Sequence, residues 1–126
     1  MSDNSSRNMF RVAAGFNVLA GLPFLLALKP MAALLGLEIT ATSTLFIQIT
    51  MGVVVGFGWA YWMISTDPVR YRPYIVLGLI LKVMIVALIF GHWLLGDISW
   101  RFPALASGDV LFGALFWRHL QRTRGQ

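Results

Sequence analysis

The chain has 126 residues, a formal net charge of +5, no cysteine, and 58% apolar against only 12% charged residues. A soluble domain usually carries ~45–50% apolar and ~25% charged residues, so this composition asks for a membrane as its medium. The missing cysteines remove disulfides, thiolate metal sites and cysteine nucleophiles. The basic residues sit at the ends of apolar runs with no stacking module beside them, which argues against nucleic acid as a partner.

In chain order, residues 1–8 are small and polar and read as a short cytosolic tail. The first apolar run, about 9–28, contains Asn17 and Pro23 and has no small-residue cleavage site, so it reads as a retained transmembrane helix. It matches the ~20 residues that cross a ~30 Å hydrocarbon core. Residues 30–36 are too short to span. Pro30 at a first helical position and Gly36 at a C′ position predict a short interfacial helix there. The Thr/Ser-rich link at 39–43 offers hydroxyls to cap the next helix.

The second span is predicted at about 44–64, with Trp59, Tyr61 and Trp62 forming an aromatic belt near its end. Asp67-Pro68 reads as an N-cap followed by N1. The third span covers about 73–95, and Pro73 restarts the helix or kinks the turn before it. A tight connection at 96–102 leads to Pro103, which opens a fourth span at about 103–120. The reading is a single all-α domain over 1–126, an integral membrane bundle of four transmembrane helices. Arg7, Arg11, Arg70, Arg72, Arg118, Arg122 and Arg124 lie on one side, and only Lys29 and Arg101 on the other. The positive-inside rule then puts both termini in the cytoplasm, most simply at a bacterial inner membrane.

Three polar residues fall inside these spans. Lys82 is nine residues from Pro73, about 13 Å at the helical rise, and Asp109 is nine residues from Arg118. Asn17 is eight residues from Met9, so all three share one depth. An unpaired ammonium there is costly, and sequence-adjacent helices are normally neighbours, so Lys82 and Asp109 are placed to meet. Three readings stand: an ion pair that fixes helix register, a ligand or proton site that includes Asn17, or no pair, with the long Lys82 stem reaching toward the cytoplasmic face. Small residues at four-residue steps, Gln48, Gly52, Gly56 and Ala60, together with Gly113, predict helix-packing faces. These stripes should face the bundle interior or a second subunit, with Leu, Ile, Val and Phe turned to lipid.

His92 is a candidate metal or haem ligand, but His119, the other histidine, belongs to the opposite membrane face, so no metal site is expected. No catalytic arrangement is recognisable, because the intramembrane acid is single and no phosphate loop occurs.

The run Asp67-Pro-Val-Arg-Tyr-Arg-Pro-Tyr-Ile-Val-Leu-Gly-Leu-Ile-Leu-Lys82, with Gly108-Asp109 after it, resembles small bacterial four-helix membrane proteins of the broad DoxX-like type. The pattern covers about a fifth of the chain. In those proteins a Gly often stands directly before the Lys, where this chain has Leu81. The resemblance implies a four-helix inner-membrane protein of a group sometimes associated with membrane redox systems, and it carries no catalytic residues over.

The sequence therefore predicts a non-catalytic membrane protein. It would bind a lipid-like or quinone-like molecule or serve as an accessory subunit of a membrane complex. Its partners would be membrane lipids, other membrane subunits or further copies of itself. The alternative is a proton-coupled transporter or channel that uses Lys82 and Asp109.

Overall fold

The computed structural model describes residues 3–125 and is all-helical over them. Its elements are α1 (Asp3–Leu26), α2 (Leu28–Leu35), α3 (Ala41–Thr66), α4 (Arg72–Leu94) and α5 (Arg101–Arg122). Three of these helices, α1, α3 and α4, are long and apolar enough to cross a membrane. Helix α5 has 22 residues, but Arg101, Asp109, Arg118 and Arg122 dilute its apolar character.

Several boundaries differ from the sequence reading. Residues 3–8, predicted as a tail, extend α1 by two turns, while residues 1–2 of that segment lie outside the described residues. Pro23 stays inside α1 near its end. Helix α2 starts two residues earlier than Pro30 and stops as expected at Gly36. That glycine takes the left-handed conformation (φ 72°), and its backbone and that of Leu37 close onto Ala33 and Ala32. Thr40 caps α3 in a reciprocal box with Ser43, so the link at 39–43 performs the predicted capping. Asp67 does not begin α4. It follows α3 and accepts from the Arg70 backbone N–H across a turn, and α4 opens at Arg72 with Pro73 in its first turn. Pro103 sits in the first turn of α5 instead of opening it.

The helices assemble as two antiparallel pairs, α1 along α3 and α4 along α5, and contacts between the pairs are sparse. Two glycines bring α1 and α3 together. A Cβ on Gly21 would fall 2.9 Å from the Met51 carbonyl oxygen, and one on Gly58 would fall 3.0 Å from that of Ala14.

The predicted packing stripe on α3 does not do this. Gln48, Gly52 and Gly56 are exposed, and nothing lies within 4 Å of where a Cβ on either glycine would be. They sit two residues, about 200° of helical turn, from Val54 and Gly58, which face α1. The interior alternative fails for these three residues, and Ala60 is half-buried. Gly113, by contrast, is buried, and a Cβ there would lie 3.9 Å from Leu79 Cδ1 and Lys82 Cβ on α4.

The phenylalanines also depart from expectation. Phe10, Phe24, Phe112 and Phe116 turn inward and are buried, whereas Val12, Leu19, Val83 and Leu88 cover the outside. Phe10, Ile64, Ile75 and Phe116 form a close-packed core at the end of the molecule that holds the start of α1, the α3–α4 turn and the end of α5. We call this the terminal end. Two hydrogen bonds from Arg72, to the carbonyls of Leu120 and Thr123, clamp the end of α5 there. At the other end α2 packs on α1, and Arg101 donates to the Leu34 carbonyl oxygen to tie it to α5.

Candidate functional site

Lys82 lies on α4, one turn after Gly78, and is 3% exposed. Its ammonium nitrogen is 2.8 Å from Asp109 Oδ1 on α5 and 3.5 Å from Asn17 Oδ1 on α1. The structure thus brings together the three polar residues that the sequence placed at one depth. Asn17 is fixed from its other side, because its amide donates to the Val54 carbonyl oxygen on α3 at 3.0 Å. All four long helices meet at this cluster.

The remaining faces of the ammonium are aromatic. Ring centroids lie 5.2 Å away for Tyr61, 5.7 Å for Phe16, 5.8 Å for Phe116 and 5.9 Å for Phe112. Each is within the ~6 Å at which a ring face attracts a cation, and the attraction is larger where water is excluded. A cation enclosed in this way, with a carboxylate in contact, answers the desolvation cost from several directions.

Two glycines give the rings their seats. A Cβ on Gly78 would come 2.8 Å from Tyr61 Cε1, and one on Gly108 would collide with the Phe16 ring. The residue pairs Gly78/Lys82 and Gly108/Asp109 therefore combine an ionisable group with the space for its aromatic neighbour.

Tyr61 corrects the sequence reading. It was assigned with Trp59 and Trp62 to an aromatic belt, yet it is 2% exposed while the two tryptophans are 69% and 50% exposed. Helical spacing separates it from them by 100° or more of turn, enough to move it from outer to inner face. Trp59-Ala60-Tyr61-Trp62 gave no compositional reason to single it out.

Above this cluster, toward the α2 end, a cavity of about 420 Å³ opens between the two helix pairs. Its walls are apolar, with Phe24, Val54, Ile85, Ile89 and Phe102 among them, and Leu35 at the end of α2 and Leu37 just after it also line it. Lys82, Asp109, Asn17 and Tyr61 supply the polar part of its lining at the cluster, and Thr50 adds a hydroxyl one turn of α3 beyond Val54, toward the α2 end. Asp109 is the most accessible of the ion pair, with its side chain 22% exposed. Its second oxygen, Oδ2, and the Tyr61 hydroxyl have no hydrogen-bond partner among the described residues. The volume falls in the ~300–1,000 Å³ range typical of small-molecule pockets.

The histidines stand apart from this site. His92 Nδ1 lies 2.9 Å from Asp97 Oδ2, and both side chains are 55% exposed at the α2 end. His119 is buried at the terminal end, against the Phe10 ring and 3.2 Å from Ser6 Oγ. It lies at the end of the bundle opposite His92, as expected, and packing against α1 holds it inward. Among the described residues no three His, Asp or Glu side chains converge.

Comparison with known proteins brings no match: no family profile, curated protein or solved structure aligns with this chain.

Proposed function

We propose that the protein is a four-span membrane protein of a bacterial inner membrane, both termini cytoplasmic, that holds a lipid-like or quinone-like molecule in the cavity above Lys82 and Asp109. The observation that carries this reading is the cavity itself. It has apolar walls, a polar floor and two polar atoms on that floor without partners. Pockets of this make-up, few polar groups in an apolar enclosure, are the usual form of small-molecule sites.

Two features support α5 as the fourth span. Its 22 residues reach about 33 Å, enough for the hydrocarbon core. Asp109 is neutralised inside the bundle, while the outward face shows Leu105, Val110, Leu111 and Trp117. The orientation rests on the seven basic residues at the terminal end. The cavity then belongs to the extracytoplasmic half. The DoxX-like resemblance of Asp67–Lys82 and Gly108-Asp109 points to the same class of protein.

The accessory-subunit form of the reading draws on the unpartnered Gln48-Gly52-Gly56 face of α3, which suits a helix of another chain. Proton-coupled transport is less well supported, because a path from Lys82 to the terminal end would have to pass Phe10, Phe116 and Ile64, which are fully buried and packed together.

Gentle extraction followed by mass spectrometry of the lipid fraction tests the proposal. The expected result is one amphiphile retained per chain, lost when Ala20→Phe fills the cavity. A clean protein with nothing bound would overturn it. A transport signal that disappears in a stable Lys82→Met/Asp109→Leu variant would favour the transporter.

A further inference from the structure

The floor of the cavity restricts which head group it can accept. Lys82 and Asp109 are in direct contact at 2.8 Å, so the floor carries a positive and a negative charge and no net charge. Asn17 is already committed on both sides, its amide to Val54 and its oxygen to Lys82. What remains for a visitor at the ion pair is an acceptor, Asp109 Oδ2, and a hydroxyl that can donate or accept, on Tyr61, with the Thr50 hydroxyl further toward the α2 end. Asp109 and Tyr61 line the same cavity, and Tyr61 is almost wholly buried, so a ligand in the cavity can reach both groups.

An anionic head would bring a second negative charge against Asp109 Oδ2, and the one nearby ammonium, Lys82, is enclosed by four rings and already paired. A cationic head could meet the carboxylate only by competing with Lys82 for it in a medium of low dielectric. A hydroxyl does neither. It can donate to Asp109 Oδ2 and accept from the Tyr61 hydroxyl, completing both open valences without changing the charge of the site.

We infer that the occupant is an electrically neutral amphiphile with a hydroxyl-bearing head, the chemistry of a long-chain alcohol or a monoacylglycerol, and that the paired floor turns away anionic and cationic heads alike. The inference rests on the ligand-holding reading above and adds the class of ligand. The ion pair then does more than fix helix register, because its mutual neutralisation sets the specificity.

The test compares three probes of equal chain length on the delipidated full-length protein in mild detergent, with dissociation constants from native mass spectrometry. They are hexadecan-1-ol, hexadecanesulfonate and hexadecyltrimethylammonium, the last two ionised at any working pH. Hexadecanol should bind tighter than either ion by about tenfold or more, the scale expected when like charges are brought together. Asp109→Asn leaves Lys82 uncompensated and should move the preference to the sulfonate. Lys82→Met/Asp109→Leu should bind without preference for any head.

Should Asp109→Asn fail to accumulate, the wild-type ranking and the double variant still decide the matter. Equal binding of all three probes to the wild type, abolished by Ala20→Phe, would keep the ligand-holding reading and overturn the neutral-head inference. A preference for either ion would overturn it too. If no probe binds, the ligand-holding reading itself falls.

Discussion

The two ends of the bundle are built on different principles. At the terminal end Phe10, Ile64, Ile75 and Phe116 meet with no exposed surface, Phe10 and Phe116 stack with centroids 5.1 Å apart, and Arg72 clamps the end of α5. At the α2 end the same four long helices stand around a cavity of about 420 Å³, lined by side chains that do not reach across it. Lys82, Asp109 and Asn17 lie at the boundary. A bundle of this size could close along its whole length, since interiors are normally packed without voids of this scale. That one half closes and the other does not locates where stability is made and where a ligand has room.

The largest contrast should come from truncating one large apolar side chain on each side of the boundary. Phe116→Ala, in the packed end, is expected to cost about 3–5 kcal/mol. Ile89→Ala, on the cavity wall, should cost under about 1 kcal/mol, because the removed atoms already face open space. Reversible unfolding in mixed micelles measures both, and equal losses would erase the distinction between the ends.

Next in size is the boundary itself. Asp109→Asn strands a buried ammonium and should cost about 3 kcal/mol, the lower part of the range for a broken buried pair, given the partial exposure of Asp109. Replacing Lys82 by Met and Asp109 by Leu together should cost much less, because no charge remains unanswered. If the double variant is as unstable as the single one, the pair is not what the core is arranged around.

Smaller effects follow from the glycine seats and the cavity. Gly78→Ala forces the Tyr61 ring aside and should cost about 1–3 kcal/mol by overpacking. Gly52→Ala, where a Cβ meets nothing, should instead leave stability unchanged or raise it by about 0.5–1 kcal/mol through helix propensity. A loss at Gly52 matching that at Gly78 would mean that the α3 face is covered by another helix, and a shift in sedimentation of the protein–detergent complex would reveal it. Smallest of all, Ala20→Phe should barely change stability yet remove any retained amphiphile, the reverse of its expected outcome in a filled core.

The sequence revealed the ionisable layer and concealed what surrounds it. Lys82, Asp109 and Asn17 were legible because polar groups in apolar runs are conspicuous, and counting residues from the basic flanks gave their depth. Gly113 was legible for its neighbours. The aromatic enclosure was not, since Phe and Tyr in an apolar helix serve equally at a lipid face or a core, and the hydropathy pattern does not separate them. Tyr61 shows this most clearly: its tryptophan neighbours face outward and it faces Lys82. Gly58, the glycine that approaches α1, was not legible beside the Gly52/Gly56 stripe for a related reason. Both sets sit on α3 at spacings that allow close packing, and only the rotation of the helix against α1 selects one. The cavity had no signature in the sequence, because it is made by how far the two helix pairs diverge.

The account turns on whether an amphiphile occupies the space above the ion pair. A hexadecanol carrying a photoreactive diazirine in its chain, added to the full-length protein and irradiated, tests this directly when the labelled residues are mapped by peptide mass spectrometry. Labels on Val54, Ile85 and Ile89, suppressed by Ala20→Phe, are the predicted result. Labels confined to outward residues such as Leu19, Val83 and Leu88, unchanged by that substitution, would contradict it.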